Sequence, residues 1–219
     1  MLSTPRRQEI DHRTLKLIVG VIAISLPVLT SLFASDALKS ISESYYENGW
    51  PRTIFIGFLF AIASFLLAHN GVTKNEMLLS KVASAAGFGV ALFPCDCGHD
   101  PDVVPLVHGL SAAVMFIVLA YFCLAFYRRT RTKNYPEAKR RAAIYVLCGI
   151  AIVVSILVLA IDYFLGHRLS NSFTTLTFWG EALALWAFGI AWFTASKVVP
   201  GLARQGEQFS PLRDDNPPA

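Results

Sequence analysis

The chain has 219 residues, 54% of them hydrophobic and only 16% charged, with a formal net charge of +4. Soluble domains carry about 25% charge, so an ordinary water-soluble fold is excluded. The basic excess comes with no recognition module, which excludes a nucleic-acid-binding protein as well.

Long runs without charge point to a bilayer, because a spanning helix needs roughly 20 mostly apolar residues. After a basic segment at residues 1–14, Leu17–Ser35 is uncharged for 19 residues and is predicted to be the first span, kinked at Pro27. It is long for the apolar part of a cleavable signal and has no small-x-small cleavage site. Thr53–Thr73, uncharged for 21 residues, is the second span. Val82–Cys95 is uncharged for only 14 residues, but it extends back through Met77, Leu78 and Leu79. Lys81 can snorkel to the interface, so a third span is expected here. Its Ala83, Ser84, Ala85, Ala86, Gly87 and Gly89 suit close helix packing. Val103–Tyr127 (25 residues), Ala142–Ile161 (20) and Leu169–Ser196 (28, with Glu181 as its single charge) complete the set. The polar, proline-containing tail at 200–219 reads as disordered. The predicted fold is therefore all-α, a polytopic membrane protein with six transmembrane helices spread over residues 15–199. The runs are apolar on every face, unlike the alternating strands of a membrane β-barrel.

Positive charge gathers on cytoplasmic loops. If loops alternate sides, 16 of the 19 Lys and Arg fall on the side of the N-terminus and tail, and 3 on the other (Lys39, Arg52 and Arg168). That split predicts both termini inside, with the basic loop at residues 128–141 facing anionic lipid.

The opposite side is acidic and rich in imidazole and hydroxyl groups. The helical rise puts Glu181 roughly 12 Å and His108 roughly 8 Å below the outer surface. Asp162 lies near the outer end of span five. Thr174, Thr177 and Glu181 share one helical face, as do Cys148, Ser155 and Asp162, and His108, Ser111 and Ala112. Polar faces turn inward in lipid, and ionisable residues inside a membrane point to function. Before span two, Ser40–Arg52 packs hydroxyls, carboxylates and aromatics beside the interface. It reads either as an aromatic belt with a Gly-Trp-Pro turn or as a cap whose Ser42, Glu43 and Tyr46 meet His108 and Glu181.

Cys123 and Cys148 sit in apolar spans and read as core packing. Cys95 and Cys97 stand in Pro94-Cys95-Asp96-Cys97-Gly98-His99, a spacing that closes only a strained disulfide. Two zinc arrangements suit the residue types: His108, Asp96 and Glu181 with an open position, or Cys95, Cys97 and His99 with His108. No lysine stands mid-span for a retinal Schiff base. No GxGxxG, P-loop, GxSxG or HExxH motif occurs.

Ser40-Ile41-Ser42-Glu43, the turn at Gly49-Trp50-Pro51-Arg52, Ile54-Phe55 and His108-Gly109-x-Ser111-Ala112-Ala113 resemble the Frag/DRAM/Sfk-type six-span membrane family. Phe93-Pro94, Arg141…Tyr145…Cys148-Gly149 and Phe178-Trp179-x-Glu181 are similar to stretches of bacterial six-span membrane proteins. The resemblance covers about residues 15–197 and implies six spans. For some eukaryotic members it also implies roles in lipid-anchor remodelling, lipid organisation or autophagy. Arg52 stands where the family pattern has Glu. A more distant resemblance is to the alkaline ceramidase and adiponectin-receptor superfamily, which holds zinc with Ser, Asp and His. The paired His-x-x-x-His of its last span is absent here.

The expected function is lipid handling in an outward-facing polar pocket built from Ser42, Glu43, Tyr46, Asp96, His108, Asp162 and Glu181. Metal-dependent hydrolysis or acyl transfer is the candidate chemistry, with His108 as ligand or base. A proton-coupled transporter and a non-enzymatic, lipid-organising scaffold are the alternatives. Membrane lipids are the expected partners, and the bacterial inner membrane is the expected location.

Overall fold

In the computed structural model, residues 12–97, 104, 106–204 and 206–209 are described. They form α1 (His12–Phe33), a 3-10 turn (Ser42–Tyr45), α2 (Trp50–Ala68), α3 (Lys74–Leu92), α4 (Val107–Arg131), α5 (Pro136–Phe164), the short α6 (Arg168–Ser172) and α7 (Leu176–Ser196). Five of these are long and apolar enough to cross a membrane: α1, α2, α4, α5 and α7. That composition is the one an integral membrane protein needs. The sixth long helix, α3, has 19 residues but carries Lys74, Glu76 and Lys81 in its first turns.

The six long helices form a closed ring in the order α1–α2–α3–α4–α5–α7, with α7 packed back on α1. The links on one end of the ring are short, at 69–73 and 132–135, and those on the other are long, at 34–49, 93–106 and 165–175. The ring buries an apolar core of Val19, Leu26, Leu59, Phe122, Phe188 and Trp192, seats its buried polar groups among them, and also turns large apolar side chains outward, which a soluble bundle does not. On α5, Arg141, Cys148, Ser155 and Asp162 are buried, while Leu147, Ile150, Leu157 and Ile161 are exposed. An outward stripe of that size is a liability in water and a lipid-facing surface in a bilayer.

Close packing of α1 on α7 depends on two glycines. A Cβ on Gly20 would stand 2.9 Å from the Gly189 carbonyl, and one on Gly189 would stand 2.7 Å from Ile24. Larger residues would push the first and last helices of the ring apart.

The sequence run Leu169–Ser196 is not one helix. It breaks into α6 and α7, with Phe173, Thr174 and Thr175 between them. The cause is local. Asp162 Oδ1, at the end of α5, accepts the backbone N–H groups of Leu169 (2.8 Å) and Ser170 (3.1 Å). This caps α6 as a separate turn, and hydroxyl-rich residues follow that favour turns over helix interiors. The 14-residue run expected as a third span lies mostly within the longer α3, which starts just after Thr73. The Thr73 hydroxyl accepts the Glu76 N–H at 3.2 Å and so caps α3 ahead of Lys81.

The two ends of the ring differ. One gathers Lys16, Arg129, Arg141 and Lys197, and is called here the cationic end. There the buried Glu76 carboxylate takes Arg129 at 2.5 and 2.6 Å. Glu207, just after α7, takes Lys133, Arg141 and Lys197. The other end carries the loops 34–49, 93–97 and 165–175.

Candidate functional site

The candidate site lies at the end opposite the cationic one, where the loop after α1 dips into the ring. Ser40, Ile41, Ser42 and Ser44 of this loop are all buried. Two backbone anchors set its path. The Phe178 N–H donates to the Lys39 carbonyl at 2.8 Å, pinning the loop to the start of α7. The Glu43 carboxylate turns back to accept the Lys39 N–H at 2.8 Å.

Glu181 enters from α7, one turn and a half inside its start. Its Oε2 accepts the Ser40 hydroxyl (2.8 Å) and the Ile41 N–H (2.6 Å), and its Oε1 stands 3.3 Å from Ser42 Oγ. A carboxylate has about four lone-pair sites, and two of them are filled by donors of this loop.

His108 enters from the first turn of α4. Its Nδ1 is 2.8 Å from the Phe93 carbonyl. A carbonyl only accepts, so Nδ1 carries the proton, and the lone pair of a neutral ring lies on Nε2. That Nε2 is 2.9 Å from Ser42 Oγ. Phe93 is the C-cap of α3, and its carbonyl is one that a helix end leaves without an intrahelical partner. The result is a chain of hydrogen bonds: Ser42 O–H to His108 Nε2, and His108 Nδ1–H to Phe93 O, with Glu181 on the other side of Ser42.

A cavity of about 30 Å³ adjoins the cluster, lined by Ser42 and Glu181 together with Leu26, Phe55, Met115 and Phe116. That volume holds a water or two. Ser44 Oγ, on the same loop, is buried with no hydrogen-bond partner among the described residues.

Three of the seven residues expected to build the pocket therefore converge: Ser42, His108 and Glu181. Glu43, Tyr46, Asp96 and Asp162 do not join them. Glu43 caps its own loop, and the Tyr46 hydroxyl donates to the Cys95 carbonyl at 2.7 Å. Asp162 is buried but spends Oδ1 on α6, with His167 Nδ1 3.6 Å from Oδ2. Ser40 makes one of the short contacts to Glu181 and carried no signal of its own, being one loop serine among several.

The zinc arrangements expected from composition are not assembled. Among the described residues no three His, Cys, Asp or Glu side chains stand close enough to hold a metal ion. His108 and Glu181 meet through the Ser42 hydroxyl rather than through a shared open position, and Asp96 is not part of the cluster. Cys95 and Cys97 are joined to each other in a disulfide, so neither thiolate is free to ligate. His99, the remaining candidate ligand, lies outside the described residues, as do residues 1–11 and 210–219 of the predicted terminal segments.

Compared with protein-family models, curated proteins and solved structures, the chain matches none. The family resemblance rests on the short motifs of the sequence.

Proposed function

We propose that the chain is a six-span membrane protein with both termini in the cytoplasm, and that its Ser42–His108 pair performs acyl transfer or hydrolysis on a membrane lipid. Support for the topology comes from α3. At 19 residues it is roughly 28 Å long, close to the ~30 Å hydrocarbon core, and it closes the same ring as the five apolar helices. The charge split places the cationic end inside, which puts the serine, histidine and glutamate in the outer half. A bacterial inner membrane fits that arrangement.

The observation that carries the chemistry is the 2.9 Å contact of Ser42 Oγ with the lone-pair nitrogen of a histidine whose other nitrogen is already fixed. A nucleophile beside an oriented base is the recurring arrangement of covalent acyl transfer. In this reading Ser42 Oγ attacks the ester carbonyl of a lipid as its proton passes to His108 Nε2. The Phe93 carbonyl and the nearby Glu181 carboxylate favour the imidazolium that forms. His108 then returns the proton to the departing alcohol oxygen, and water or a second alcohol takes the acyl group from Ser42. The test is labelling of the purified protein with a lipophilic fluorophosphonate. Covalent modification of Ser42, lost in Ser42→Ala and reduced at least tenfold in His108→Gln, is expected. Labelling that survives in Ser42→Ala would refute the mechanism.

A second reading has its own observation. Ser42 is only 7% exposed and its cavity is far smaller than a lipid ester. In that reading the cluster is a latch that holds the loop over the ring of a lipid-organising protein. It predicts no labelling of the wild type, and a loss of thermal stability when Glu181 is changed.

A further inference from the structure

We propose that a cavity between α1, α4, α5 and α7 at the cationic end is a binding site for a phosphate-bearing anion, either a lipid headgroup or a free phosphate, and that the chain's own Glu207 competes for it. The inference does not depend on the chemistry assigned to Ser42, which lies at the other end of the ring.

The cavity measures about 590 Å³ and is lined by Lys16, Arg128, Arg129, Lys133, Arg141 and Lys197. Its volume falls in the range of small-molecule sites. Six cations converge on it and two carboxylates answer them. Glu76 is committed to Arg129. Glu207 lies 3.1 Å from Lys133, 3.2 Å from Arg141 and 3.4 Å from Lys197, and it also accepts the Tyr135 hydroxyl at 2.8 Å. Among the described residues no carboxylate stands within ion-pair distance of Lys16 or Arg128. The Lys16 ammonium instead lies 5.5 Å from the centre of the Phe126 ring.

The cavity is a built site rather than a loose charged surface. Arg141 is 2% exposed, and its guanidinium donates to the Leu202 carbonyl and to Tyr135 Oη. An arginine held in this way presents its remaining N–H groups in a fixed fork, the geometry that receives carboxylate and phosphate oxygens. Glu207 shows what such a group finds there. Burial alone would raise its carboxyl, but Tyr135, Lys133 and Lys197 outweigh burial and hold it down at about 2. A single carboxylate cannot answer the whole cluster. A phosphate has more oxygens and up to two charges, and it would also reach the cations Glu207 leaves unmatched. Phe126 and Tyr145 add an apolar wall suited to the glycerol or acyl end of a lipid. Glu207 belongs to the segment following α7, outside the ring of helices, and its carboxylate can swing away from the cations while the Phe209 N–H keeps the backbone on the Lys197 carbonyl at 3.1 Å.

The test uses the full chain in non-ionic detergent, with binding read by native mass spectrometry and thermophoresis. The probes are short-chain phosphatidic acid, the matching phosphatidylcholine and pyrophosphate. Phosphatidic acid or pyrophosphate is expected to bind at least about tenfold tighter than phosphatidylcholine. The Lys16→Gln/Arg128→Gln variant should lose about tenfold, and Glu207→Gln should gain several-fold. Among the described residues neither Lys16 nor Arg128 is ion-paired, so the double variant should keep the fold, which its unfolding temperature checks. Preference for phosphatidic acid over pyrophosphate assigns a membrane source, and equal binding assigns a soluble one. Failure of both probes to exceed phosphatidylcholine in wild type and Glu207→Gln alike overturns the site. So does wild-type affinity in the double variant. Weaker binding by Glu207→Gln would make Glu207 a ligand-supporting group and overturn the competition.

Discussion

Replacing Glu181 distinguishes a carboxylate that fastens the cap loop from one that merely lies near it. Two changes are informative. In Glu181→Gln, the amide oxygen can stand in the Oε2 position and still accept the Ser40 hydroxyl and the Ile41 N–H. The amide N–H then donates to Ser42 Oγ, whose proton already faces His108. The geometry survives and only the charge is lost. Hydrogen bonds to charged groups contribute roughly 1 kcal/mol more than neutral ones, so two of them put the loss at about 2 kcal/mol. In Glu181→Leu, the same two donors have no acceptor, and both belong to buried residues. Each buried unsatisfied donor costs roughly 1–3 kcal/mol, so this variant should lose about 4 kcal/mol. At roughly 2–4 °C per kcal/mol for a chain of this size, unfolding should fall by about 6 °C for Gln and at least twice that for Leu. Scanning fluorimetry in detergent reads it through Trp179, Trp186 and Trp192, which share α7 with Glu181. A Leu variant that unfolds with the wild type, or no earlier than the Gln variant, would refute the argument.

Gly20→Val should destabilise the protein by about 2 kcal/mol or more, because its Cβ meets backbone of α7 at 2.9 Å. Gly149→Ala, whose nearest neighbour is the Cys123 Cβ at 3.4 Å, should be nearly neutral in the same melt. The carboxyl of Glu207 is held down at about 2, against 4.5 in an unfolded chain. Its hold on the tail is therefore complete above pH 4.5 and is lost as pH falls towards 2, and a spin-label distance from residue 206 to α5 should lengthen over that window and not above it. Maleimide should modify none of the four cysteines in the folded, unreduced protein, because two are buried and two are disulfide-bonded. Two should react after unfolding without reductant, as counted by intact mass.

The helices were legible because the physics that creates them is written along the chain. Uncharged runs near 20 residues mark α1, α2, α4 and α5 to within about two turns at each end. The third helix was harder, since Lys81 interrupts its run and the Thr73 cap is a weak signal. The break between α6 and α7 was not legible, because Asp162 supplies the cap from a different helix. At the site, the rise per residue brought His108 and Glu181 to similar depth, and the structure joins them through Ser42. The partners of Glu43 and Tyr46 could not be read in advance. A loop side chain can satisfy itself on its own backbone or on a neighbour, and composition does not choose between these. The same limit hid Glu207. A tail composition that reads as disorder says nothing of one carboxylate that finds Lys133, Arg141 and Lys197.

The glycine contact between α1 and α7 also bears on how the protein is made. The ring closes between α1 and α7, so a nascent chain holds an open ring until α7 is in place. Glu181 arrives on that helix, roughly 140 residues after the loop whose N–H and hydroxyl it satisfies. Until then Ser40 and Ile41 wait with their donors unanswered. The cluster is thus assembled only once α7 has been made, and a chain lacking α7 would display an unsealed loop, the kind of exposed polar segment on which membrane quality control acts.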